Sequence, residues 1–118
     1  MKILVTAAGD SLESPVDPRF GRAAHYILID SRTGEHEVVD NPASTAPQGA
    51  GIGAAQRVAE LGAEYVLTGH CGPKAFRTLT AAGIKVVVGV EGTVGEAYQR
   101  FLEGGLSAAE EADVEGHW

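Results

Sequence analysis

A chain of 118 residues with 44% apolar content has enough hydrophobic surface for one globular core and too little length for two independent ones. Its formal charge of -7 excludes nucleic acid as a partner, because phosphate binding needs a basic face, and no apolar run approaches the length of a membrane span. The single cysteine, Cys71, excludes an internal disulfide and a self-assembled iron-sulfur cluster, which needs about four thiolates from one chain.

Residues 2–7 form a short run rich in Ile, Leu and Val, bounded by Gly9 and Asp10, as expected of a buried central strand. With one lysine before it, the run is too short for a signal peptide, so a cytoplasmic location is expected. Residues 25–30 make a second strand, 31–35 a turn, and 36–41 the return strand of a hairpin. After the Pro- and Gly-bearing stretch 41–53, a helix runs to Leu61 with Ile52, Ala55, Val58 and Ala59 on one stripe, and Gly62 stops it. Residues 65–68 are a fourth strand. Gly72-Pro73 opens a second helix whose inward positions are Ala75, Phe76, Leu79 and Ala82. Residues 85–90 are a fifth strand. Thr93 and Glu96 form a capping box for a last helix, with Val94, Ala97, Tyr98, Phe101 and Leu102 along its apolar stripe and Gly104-Gly105 at its end. A single domain over 1–105 is expected, followed by a flexible, acidic tail over 106–118. Five acids and no Lys or Arg lie from Glu103 onward.

The order βββαβαβα specifies an α/β domain with a mixed five-stranded sheet and helices on its faces, the order of the ribonuclease H-like fold. Strands one, three, four and five then point the same way. The connections 8–24, 42–53, 69–74 and 91–93 emerge at one edge, and three of them enter helix N-termini, where N–H groups and the helix dipole attract anions.

The first connection carries Asp17-Pro18-Arg19-Phe20-Gly21-Arg22-Ala23. Its two guanidinium groups suit a bulky anion with diffuse charge. The same residues are equally consistent with Arg19 and Arg22 paired to Asp17 and other acids, and Phe20 plugging the core. Gly49-Ala50-Gly51-Ile52-Gly53 resembles a glycine-rich anion loop but matches neither the dinucleotide fingerprint nor the phosphate loop, and a plain flexible helix start explains it as well. His70-Cys71-Gly72-Pro73-Lys74 puts an imidazole and the only thiol beside a helix N-terminus, which favours the thiolate that soft metals prefer. A lone cysteine is also a common apolar filler, and two ligands make an incomplete zinc site. No acid, base or nucleophile stands in a supporting motif, so no enzymatic activity is expected.

Taken in order, Asp17–Ala23, Asn41, Gly49-Ala50-Gly51 and Thr68-Gly69-His70-Cys71-Gly72-Pro73 resemble the dinitrogenase iron-molybdenum cofactor biosynthesis family, with its NifX-like and NafY-like carriers. The likeness is strongest to its branch of small orange proteins from sulfate-reducing bacteria. The resemblance implies a ribonuclease H-like fold and the binding, storage or delivery of a molybdenum-copper sulfide cluster or a related molybdenum-iron-sulfur cofactor, with a protein partner for delivery. On that reading Arg19, Arg22 and Lys74 supply charge. Phe20, Gly21, Gly49, Gly51, Ile52, Gly53, Gly72 and Pro73 complete the cofactor-binding surface, and Cys71 with His70 are soft metal ligands. The rivals are a cofactor-free regulatory or protein-interaction module and an enzyme acting on a phosphorylated metabolite.

Overall fold

The computed structural model describes residues 1–41 and 50–109. Among them the elements run β1 (Lys2–Ala7), β2 (His25–Asp30), β3 (His36–Asp40), α1 (Ala50–Glu60), β4 (Tyr65–Leu67), α2 (Pro73–Ala81), β5 (Lys85–Val87) and α3 (Val94–Leu102). The strands form one mixed sheet in the order β3-β2-β1-β4-β5. Strands β1 and β2 pair antiparallel with Leu4 opposite Leu28, and β3 continues the meander. Strands β4 and β5 join β1 in parallel. Gly34, at a φ of 76°, supplies the left-handed residue of the β2–β3 turn.

Strand β1 is central and buried on both faces, which is why its sequence is continuously apolar instead of alternating. Leu4, Tyr26, Leu28, Val66 and Val86 point to the face covered by Ala54, Ala55 and Val58 of α1 and Ala75, Phe76 and Leu79 of α2. Ile3, Val5, Ile27, Ile29, Leu67 and Val87 point to the other, where Val94 and Ala97 of α3 close the core. Both halves of the α3 capping box are made: Glu96 N–H donates to Thr93 Oγ1 at 3.1 Å, and Thr93 N–H to Glu96 Oε1 at 2.9 Å.

Two boundaries differ from the sequence reading by more than one residue. The fifth strand ends at Val87, because Gly89 turns left-handed at a φ of 73° and its N–H leaves the ladder for Gly69 O. Helix α1 begins at Ala50, so Gly51, Ile52 and Gly53 form its first turn and not a loop ahead of it. Burial of Ala54, Ala55 and Val58 outweighs the roughly 1 kcal/mol that each helical glycine costs. Beyond α3 the chain stays against the domain past residue 105. Leu106 packs on the α3-side core, Ala109 on the opposite one, and Ala109 N–H donates to Val86 O at the β5 edge.

Candidate functional site

The carboxyl ends of β1, β3, β4 and β5 share one edge of the sheet, and the connection between β1 and β2 dominates it. Its first part folds onto α3. Ser14 O and Leu12 O accept the N–H groups of Val94 and Gly95, while Val16 N–H donates to Gly92 O. The α3 N-terminus, one of three anion-attracting ends expected from the sequence, is therefore filled by the protein's own carbonyls and capping box, and the candidate site contracts to the α1 and α2 ends.

Asp17 anchors the next part. It is 5% exposed; its N–H donates to Thr6 O, and its carbonyl accepts from Thr6 Oγ1 at 2.7 Å, with Thr68 Oγ1 2.9 Å from the same hydroxyl. Its carboxylate accepts the Arg19 N–H at 3.0 Å and lies 3.6 Å from Arg19 Nε. The expected pairing of Arg19 with Asp17 is thus present, yet the Arg19 side chain remains 49% exposed, so Asp17 aims it without hiding it. Gly69 allows this crossing, since a Cβ there would stand 2.6 Å from Pro18 Cα.

Phe20 donates its N–H to His70 O at 3.1 Å, tying this loop to the β4–α2 connection. The Phe20 ring is buried against Tyr26, with centroids 5.7 Å apart, so it fills the core beneath the site. Tyr26 Oη donates to Phe20 O at 2.8 Å, and Asn41 Nδ2 donates to Gly21 O and Ala23 O, each at 3.0 Å. Burial first, then the neighbouring Asp17 and Cys71, raises the Tyr26 phenol far above its usual range and keeps it a neutral donor. Tyr26 and Asn41 went unassigned in sequence reasoning except for Asn41 as part of the family pattern. A strand tyrosine reads simply as core.

Gly21 is buried and Arg22 half-buried, both on the loop as expected. His70 is half-buried beside it. Cys71 has no exposed surface, and its Sγ sits 3.7 Å from Gly72 O in the core cluster that also holds Phe20, Tyr26 and Phe76. Gly72 is an extended cap residue without a side-chain cap, Pro73 occupies the first turn of α2 and Lys74 is exposed beside it. The first N–H groups of that helix thus receive no side-chain cap from Gly72, and a cation stands alongside. Gly51, Ile52 and Gly53 offer the corresponding first turn of α1, while Gly49 lies outside the described residues. His25 Nδ1 is 3.1 Å from Asp40 Oδ1, and His36 is exposed on the edge strand. His117 also lies outside the described residues.

The edge thus joins arginines, a lysine and helix N–H groups, a set that binds anions by charge and hydrogen bonding. Among the described residues no group of three or more His, Cys, Asp or Glu could hold a metal ion. Residues 1–104 match the family described as dinitrogenase iron-molybdenum cofactor. The chain belongs to that family. The apo form of the orange protein from Desulfovibrio gigas is 50% identical to this chain, with 96% of each chain covered and a TM-score of 0.94. A Thermotoga protein of the DUF35 family is 36% identical, with 98% of each chain covered and a TM-score of 0.85. An uncharacterized protein of Methanocaldococcus jannaschii is 29% identical over 98 residues, which are 80% of this chain and 83% of that relative.

Proposed function

We propose that this protein is a noncovalent carrier for an anionic molybdenum-containing metal-sulfur cluster, which it stores or delivers as cargo. The observation that supports this most is the composition of the site edge: the loop that carries Arg19 and Arg22 is tied at Phe20 and Arg19 to the connection entering α2, Lys74 stands in the first turn of that helix, and the one thiol is wholly buried. A cluster that arrives with its own sulfide needs charge and N–H donors from the protein, and few covalent ligands. The likeness to the orange protein favours a molybdenum-copper sulfide cargo, and the family name an iron-molybdenum one. In this reading the protein works in the cytoplasm without catalysing a reaction and hands its cargo to a protein partner, and its βββαβαβα order belongs to the ribonuclease H-like class.

Purification from the native host under anaerobic conditions tests the reading. Visible absorption with stoichiometric molybdenum supports it; a colourless chain that co-purifies with a protein partner and holds no metal overturns it in favour of an interaction module. The double variant Arg19→Ala, Arg22→Ala is expected to fold and to lose cargo at least tenfold more readily, since loop charges outside the core contribute little to stability while each charge-assisted contact to an anion is worth about 1.5–3 kcal/mol. Equal retention would remove this loop from the site.

A further inference from the structure

The two edges of the sheet differ. At β5 the chain returns as far as residue 109, where Ala109 N–H donates to Val86 O. At β3 no described residue hydrogen-bonds to the outer side of the strand. The ladder fixes which residues face that side. Asp30 N–H donates to Glu35 O, and antiparallel pairs alternate between hydrogen-bonded and non-hydrogen-bonded, so Glu37 opposite Leu28 and Val39 opposite Tyr26 direct their backbone groups to β2. The N–H and C=O groups of His36, Val38 and Asp40 therefore point outward. The three side chains share one face and are exposed, Val38 by 39% and the Asp40 side chain by 90%.

We infer that β3 is an interaction surface for a second copy of this chain, whose own β3 adds antiparallel to it about a two-fold axis at Val38. The inference goes beyond the cargo reading and does not depend on it. In this register Val38 meets Val38 of the partner subunit, and His36 meets Asp40 of the partner subunit, twice by symmetry. Every outward N–H and C=O of the strand then finds a counterpart, as in strand addition to an open sheet edge. An imidazole opposite a carboxylate and a valine opposite a valine are both favourable cross-strand pairs. Asp40 already lies 3.1 Å from His25 Nδ1 of its own subunit, so it would stand between two imidazoles. Neighbouring registers are worse. An axis at residue 36 sets Glu37 against Glu35 of the partner subunit, one at 37 sets Glu37 against its own copy, and one at 40 does the same to Asp40. An axis at 39 puts Val38 opposite Asp40 of the partner subunit and leaves His36 without a counterpart in the strand. In the joined sheet the strands of the two subunits run opposite ways, so the two candidate sites lie at opposite ends and away from the contact.

Sedimentation equilibrium of the full chain at neutral pH tests the inference. A ladder of five residues on each side is a small interface, so the wild type is expected to dimerise weakly, with a constant of about 0.1 mM. Val38→Lys changes a side chain that is already exposed, and is expected to fold and to weaken the dimer at least about tenfold by setting two cations together at the axis. His36→Glu is expected to weaken it about threefold to tenfold, and adding Asp40→Lys to restore it, because the opposed charges are then exchanged and not lost. Amide exchange at His36, Val38 and Asp40 is expected to slow as concentration rises, while Glu37 and Val39 are protected at every concentration. Saturating tetrathiomolybdate, a molybdenum-sulfide anion that stands in for the cargo, is expected to leave the dimer constant unchanged. A wild type that stays monomeric to about 1 mM overturns the inference and leaves this edge to a strand of a different protein. A dimer indifferent to Val38→Lys, a double variant as weak as His36→Glu, or a constant that shifts at least about tenfold with tetrathiomolybdate places the contact elsewhere and overturns it as well.

Discussion

At the scale of single residues, the site depends on how closely two backbones approach. Gly69 has an unstrained φ, so Gly69→Ala meets no conformational barrier; its new methyl would instead stand 2.6 Å from Pro18 Cα and 2.9 Å from Pro18 O. Backbone cannot yield as a side-chain tip does, and a cost of about 1–3 kcal/mol is expected in urea unfolding. Because Pro18 joins Asp17 to Arg19, the same variant is expected to displace Arg19 and weaken cargo retention. An unfolding midpoint equal to that of wild type would show that the crossing relaxes freely. Cys71 gives the opposite expectation. With no exposed surface among Phe20, Tyr26 and Phe76, it acts as a small apolar side chain. Cys71→Ala is expected to cost about 1–2 kcal/mol of stability through the small void it leaves, and to keep cargo retention close to that of wild type. The native thiol is expected to resist alkylation by iodoacetamide until the protein is unfolded. Loss of all metal from a folded Cys71→Ala protein would establish Cys71 as a ligand.

At the scale of elements, the start of α3 is closed by its own capping box, and that cap responds to pH. Hydrogen bonds from Thr93, the backbone N–H foremost, hold the Glu96 carboxyl below its usual range, with Arg100 assisting. A carboxyl lowered by folding contributes its stability above the unfolded-state pKa and loses it as pH falls through the lower folded-state value. Glu96→Gln keeps a neutral acceptor for Thr93 N–H, so the stability difference between wild type and Glu96→Gln is expected to shrink steadily as urea titrations move from neutral pH into the acid range. A difference constant with pH would mean that the carboxylate adds nothing beyond a neutral amide. Thr93→Ala, which removes the other half of the box, is expected to cost about 1 kcal/mol at neutral pH. The capping box was legible because it is local: four consecutive residues suffice. Strands β1 and β2 were legible for a similar reason, since apolar runs ended by turn residues need no partner to be recognised. The end of β5 was not, because Val88 and Val90 extend the apolar run and only the left-handed Gly89 breaks the ladder. The helical first turn at Gly51–Gly53 was hidden by composition, as glycines read as loop until burial of Ala54, Ala55 and Val58 is known. The site followed the same division. Arg19, Arg22 and Lys74 could be picked out as charges, but the clamp made by Tyr26 and Asn41 joins residues 6 to 20 positions apart and appears only when the sheet is assembled.

At the scale of the whole molecule, the remaining question is where the packed domain ends and what the acidic end of the chain does to the site. Leu106 and Ala109 rest on opposite core faces, and Ala109 N–H donates to Val86 O, so the segment up to 109 covers the open edge of β5. Edge strands left bare invite pairing with other chains. Two truncations separate packing from charge. Removing 106–118 takes away both, and is expected to lower stability by about 1–2 kcal/mol, the worth of a partly buried Leu with its neighbours, and to promote concentration-dependent association in sedimentation runs. Removing 110–118 leaves that packing in place and deletes only Glu110, Glu111, Asp113 and Glu115 among the charged side chains. Four carboxylates repel an anionic cargo over a Debye length of about 8 Å at physiological salt and further at low salt. The shorter truncation is therefore expected to fold with an unchanged melting temperature and to bind tetrathiomolybdate as tightly as wild type or more so, with the gain largest at low ionic strength. A marked loss of affinity after removing 110–118 would reject repulsion and would make His117 or Trp118, the chain's last ligand and its last aromatic, part of the cargo site.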